Sequence, residues 1–115
     1  DAEEDLRFVK HFKNYISEEK AYTNKKELAN FGLPYFNTAR NILEFNLDKF
    51  EDYLHRQKVN LPRVDLVIKC QTILRAKKNH GKFENKSCVS WRMVNQTVDV
   101  DDLIVEGEYK EIADE

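Results

Sequence analysis

The chain reads as a mainly α protein: a compact bundle of about four helices, then a small C-terminal β-hairpin and an acidic tail. Three observations predict this. Apolar residues recur at steps of three and four through separate stretches of the first two-thirds of the sequence. Only 3 Gly and 2 Pro interrupt the 115 residues, a helix-leaning composition. After Gly81 the period drops to two, as in a strand. Residues 1–98 are expected to form one helical domain carrying the hairpin, and residues 99–115 an acidic tail that is partly ordered at most.

The first helix runs from Leu6 to about Lys20, with Leu6, Val9, Phe12 and Ile16 in line and Phe8 and Tyr15 beside them. Asp5 and the acids before it suit its positive N-terminal end. Thr23 or Asn24 caps a short second helix, Asn24 with Glu27 three residues on being the better though inexact pairing. The helix runs through Leu28, Ala29 and Phe31 to stop at Gly32. Pro34 or Asn37 opens a third helix, whose stripe is Phe36, Leu43, Leu47, Phe50 and Leu54, widened by Ile42, Phe45 and Tyr53. Asn60-Leu61-Pro62 ends it. A fourth helix is expected from about Arg63 to Lys78, with Val64, Val67, Ile68 and Leu74 in one stripe and Leu66, Cys70 and Ile73 beside it. Val89, Trp91 and Met93 then alternate with Ser90, Arg92 and Val94, and Thr97–Val100 is the expected partner strand across an Asn95-Gln96 turn. Leu103–Val105 fits strand or helix. The predicted core is Phe12, Ile16, Leu28, Leu43, Leu47, Phe50, Val67, Ile68 and Leu74.

Charge is sorted along the chain. Residues 1–54 hold 8 Lys+Arg against 11 Asp+Glu, residues 55–92 hold 10 against 2, and residues 93–115 hold 1 against 8. A formal net charge of −2 thus conceals a basic middle and an acidic end. Arg63, Lys69, Arg75, Lys77, Lys78, Lys82, Lys86 and Arg92 are the candidate binding residues. Clustered, flexible cations are what phosphate neutralisation requires, and Phe83 or Trp91 could stack on a base if exposed. The competing readings are a solvated face and a patch that receives an acidic segment, the chain's own end included.

Other signatures are weaker. Lys25 to Phe45 can be laid out as a helix-turn-helix, with Leu28, Ala29, Leu33, Ala39, Ile42 and Leu43 as packing set and the hairpin around Trp91 as a wing. Gly32 comes one position early for that motif, however, and Arg40 is the only cation on the recognition helix. Asp99, Asp101, Asp102 and Glu106 lack the Gly and Glu spacing of a Ca²⁺ loop, so a solvated acidic loop is the better reading. His11, His55 and His80 have no His or Cys at zinc-ligand spacing. No phosphate-cradling glycine loop, nucleophile elbow or Cys-x-x-Cys is present. The expectation is therefore a non-catalytic module with no cofactor, metal or small-molecule substrate.

Cys70 and Cys88 are far enough apart for a disulfide worth about 3 kcal/mol, and the sequons at Asn85 and Asn95 would suit secretion. Yet ten Asn residues yield a sequon or so by chance, and Cys70 sits in an apolar stretch as a small hydrophobe would. Reduced thiols in an intracellular protein, nuclear or cytoplasmic, are expected over a secreted form. No apolar run approaches the roughly 20 residues of a membrane span. A start without Met suggests a fragment of a larger protein or a removed leader. Two functions follow: a nucleic-acid-binding module acting through the basic edge of residues 56–92, or a protein–protein adaptor in a larger assembly whose basic edge receives an acidic segment.

Overall fold

Strand-forming side chains, not helical ones, occupy the stretch between Gly32 and Asn46. The computed structural model describes residues 1–94 and shows α1 (Ala2–Glu19), α2 (Lys25–Phe31), β1 (Tyr35–Asn37), β2 (Ile42–Phe45), α3 (Leu47–Arg56), α4 (Arg63–Thr72), β3 (Lys77–Phe83) and β4 (Lys86–Met93). The strands form one antiparallel sheet in the order β1-β2-β4-β3. A mixed α/β fold with four helices and four strands thus replaces the expected mainly α bundle with its two-stranded hairpin.

The early helices follow their local signals. Asp1 caps α1, its carboxylate accepting the Glu4 N–H at 3.0 Å, so the helix begins before Leu6 and buries Phe8, Phe12, Tyr15 and Ile16. Asn24 caps α2 through the Lys26 N–H at 2.8 Å. Gly32 closes that helix at φ 69°, a left-handed conformation that glycine adopts without strain.

The expected third helix is wrong in its first half. Asn37 Oδ1 accepts the Arg40 N–H at 3.1 Å, and Asn41 takes φ 55°. Both are turn features, and they fold β1 back on β2 so that Phe36 faces Leu43. Asn46 is the helix cap, accepting from the Lys49 N–H at 3.0 Å. The 43–47–50–54 spacing mimicked one helix because Leu43 on the strand and Leu47, Phe50 and Leu54 on α3 reach the same core. The helix-turn-helix reading falls with this, since its recognition helix is a pair of strands.

The expected fourth helix ends early. It stops at Thr72, Arg75 takes φ 57°, and the Ala76 N–H donates back to the Cys70 carbonyl at 2.9 Å. Lys77 and Lys78 therefore open a strand instead of closing a helix. The buried side of α4 is Leu66 and Cys70, continued by Leu74, which leaves Val64 and Ile68 outside at 69% and 49% exposure. Ile68 was expected in the core and is not there; Val67 is half-buried. The other seven predicted core residues are buried.

The β4 alternation holds, but its hairpin partner is β3, through a turn in which Glu84 and Asn85 have φ 51° and 66°. Two consecutive positive φ values suit the right-handed twist of a two-residue hairpin. The proposed 97–100 partner strand, Leu103–Val105, the Asp99–Glu106 cluster and the 99–115 tail all lie outside the described residues.

The register sorts the sheet's two faces. Phe36, Leu43, Phe45, Trp91 and Met93 point to one face and join α1, α3 and α4 in a single core. Its centre is aromatic: the Phe50 ring lies 5.3 Å from Phe12, 5.2 Å from Tyr15 and 5.8 Å from Phe8. The other face carries Glu44, Cys88, Ser90 and Arg92. There α2 packs across β4, β3 and β1, burying Leu28 apart from the main core.

Candidate nucleic-acid interface

β3 is an outer strand of the sheet, and its composition is cationic: Lys77, Lys78, His80 and Lys82 are all exposed. Alternation divides them. Lys78, His80 and Lys82 stand on the Trp91 face at steps of about 6.8 Å. Lys77 and Lys86 point to the opposite face. Arg75, exposed in the link from α4, precedes them. Among the described residues, Arg75, Lys77, Lys78, Lys82 and Lys86 form no ion pair.

The other three candidates have different surroundings. Arg63 donates to Asp48 at 2.8 Å and Glu51 at 2.7 Å, tying the start of α4 to α3. Partial burial pulls its guanidinium pKa down, but those two carboxylates outweigh that and leave it raised. Arg92 lies 3.3 Å from the buried carboxylate of Glu44, which also accepts the Ser90 hydroxyl at 2.7 Å. Lys69 is half-buried beside α1, lining a concavity with Glu4, Arg7, His11 and Leu61, away from the hairpin. Five of the eight are thus gathered on β3 and its flanks, Arg92 borders them on β4, and Lys69 stands apart.

One cation joins the edge from outside the basic block. Lys25, in the first turn of α2, has its Nζ over Gly81, 3.9 Å from where a β-carbon there would stand. It lies in the acidic-leaning first block, and no sequence signal links it to the hairpin.

Besides a concavity of about 420 Å³ lined by Gln71, Arg75, Ala76, Lys77 and Lys78, two more flank this edge. The larger, about 500 Å³, lies between α3, α4 and the hairpin, with Lys78, Arg63, Gln71, Val67 and Val89 around it and Trp91 at its wall. Trp91 is only 6% exposed, and Phe83 is half-buried, so neither offers an open ring for stacking. The second, about 370 Å³, is lined by Arg75, Lys77, Arg92 and Val94.

Nucleophile chemistry finds no support in the thiols. Cys70 and Cys88 are both free and buried. Burial pushes the Cys70 thiol up to about 12, with Arg63 pulling weakly the other way. Burial also raises Cys88. Among the described residues no group of three or more His, Cys, Asp or Glu could hold a metal ion, and no helix is long and apolar enough to cross a membrane.

Comparison with protein-family models, curated protein sequences and solved structures finds no match to this chain.

Proposed function

We propose that this chain is a non-catalytic binding module, intracellular with reduced thiols, whose basic edge contacts nucleic-acid phosphates. The observation that carries the reading is the gathering of Arg75, Lys77, Lys78, Lys82 and Lys86 on the outer strand β3 and its flanks with no acidic partner among the described residues. Lys25 extends the patch from α2. An extended strand sets cations at regular intervals along a line, which suits a polyanion that also runs in a line.

The test is fluorescence anisotropy with labelled single-stranded and duplex probes across a salt series. Five phosphate contacts correspond to a slope of about −3.5 in log K against log salt for a single strand. Lys78→Glu with Lys82→Glu should abolish binding at low salt. Absence of binding by the native chain at low salt would overturn the reading.

The second reading, a protein–protein adaptor, is favoured by one observation. Val64 and Ile68 lie one turn apart and exposed on α4, next to the cleft that Val67 and Val89 line. Such a face suits an apolar partner segment, with Lys78 receiving its acids. Substituting Val64 and Ile68 should impair that function and leave phosphate binding unchanged.

A further inference from the structure

Three local costs converge on the concavity beside the start of β3. Lys77 and Arg92 stand directly opposite each other in the register, and like charges in that relation destabilise a sheet. Arg75 holds φ 57°, a region that residues with a β-carbon seldom occupy. Arg92 Nε is shut from solvent with no hydrogen-bond partner among the described residues, which buried donors rarely tolerate. Arg75, Lys77 and Arg92, with Val94, line one space of about 370 Å³. Breaches of local rules that meet at one place point to function there.

We infer that this concavity seats a phosphate monoester and, resting on the nucleic-acid reading above, that it takes the terminal phosphate of a strand. The charge count selects the ligand. Glu44 engages Arg92 at 3.3 Å from its buried position, so its negative charge offsets one of the three cations and leaves two. A monoester carries about −1.5 to −2 at pH 7 and leaves the site by one ester arm. A phosphodiester brings a single charge and needs two exits. Arg75 offers a forked donor suited to phosphate oxygens, and Arg92 keeps Nη1 beside the Nη2 that Glu44 holds. Ser90 fixes the second oxygen of Glu44 at 2.7 Å, so the carboxylate holds its place. From this seat the chain of diesters runs on along the same face of the hairpin, toward Lys25 over Gly81 and Lys86.

The experiment measures the full chain's affinity for one oligonucleotide sequence carrying a 5′-phosphate, a 3′-phosphate or hydroxyls at both ends, the fluorophore always at the opposite end. The expected result is binding about tenfold tighter for one phosphorylated end than for the hydroxyl form. Arg75→Asn, which keeps a residue tolerant of positive φ, should erase that preference, and so should Lys77→Gln. Lys86→Gln should weaken all three probes alike and preserve it. Thermal melts of each variant confirm folding, and Lys77→Gln serves if Arg75→Asn does not fold. Equal binding of all three probes overturns the terminal-phosphate seat and leaves the basic-edge reading standing. A preference that survives both substitutions overturns the seat's location. Failure of every probe, with a phosphoserine peptide bound instead, overturns the nucleic-acid reading together with this inference.

Discussion

Glu44 accepts the Ser90 hydroxyl at 2.7 Å across the β2–β4 seam, and both side chains are closed to solvent. A buried carboxylate needs every partner it has, because an oxygen left without one loses its hydration for nothing. Ser90→Ala should therefore cost about 1–3 kcal/mol, a fall in Tm of about 4–8 °C for each kcal/mol in a domain of this size. Thermal unfolding by circular dichroism reads it. An unchanged Tm would mean that Glu44 loses nothing with its partner.

Phe50 should be the costliest single truncation. It is fully buried, and its ring meets Phe8, Phe12, Tyr15 and Phe45. Phe50→Ala is expected to cost about 3–5 kcal/mol in urea unfolding. Ile68→Ala, on the open side of α4, should stay within about 0.5 kcal/mol, and Leu66→Ala two positions away should cost about 2–5 kcal/mol. Reversal of the Ile68 and Leu66 effects would contradict the orientation of that helix.

Alkaline pH should weaken the fold. The Cys70 thiol, ordinarily near 9.0, is held by burial up to about 12, and burial also raises Tyr15. In this range the unfolded chain gives up protons that the folded chain keeps. The stabilisation from Cys70 is thus whole below about pH 9 and drains away toward pH 12. Urea midpoints at pH 7.5, 9 and 10.5 should fall in that order, and Cys70→Ala should flatten the decline. A flat profile in the native chain would show the thiol to be open to solvent. The same burial predicts slow alkylation of both cysteines at pH 8 until urea is added.

Removing residues 99–115 changes the charge balance most. That span carries eight acids and one lysine, so its loss turns a formal net charge of −2 into +5. Long-range attraction alone should then tighten polyanion binding at low salt, with the gain shrinking as the screening length falls below about 10 Å. Anisotropy titrations of both forms at two salt concentrations measure it. Equal affinity at low salt would show that the acidic end exerts no field on the edge.

Much of this molecule was legible residue by residue, and the failures share one cause. Asn24 and Gly32 delimit α2 because caps act within a few residues, and the β4 alternation showed because a central strand must satisfy two faces. Residues 35–45 misled because both periods fit them. Leu43 lies four before Leu47 in sequence, yet a strand carries the first and a helix the second. Only the pairing of Phe36 with Leu43 and of Phe45 with Trp91 decides between them, and the second links residues 46 apart. The candidate site followed the same rule. Contiguous cations on β3 were visible, whereas the hold of Glu44 on Arg92, 48 residues away, and the approach of Lys25 to Gly81 arise only on folding.

Among the described residues, the outer rim of β3 has no neighbouring strand. Open rims recruit strands from other molecules, and lysine is one of the residues that deter them. Lys77, Lys78 and Lys82 thus keep copies of this chain apart by mutual repulsion, whatever else they bind. A polyanion that neutralises them also lifts that repulsion, so substoichiometric ligand should drive the protein toward clustering and saturating ligand should disperse it again.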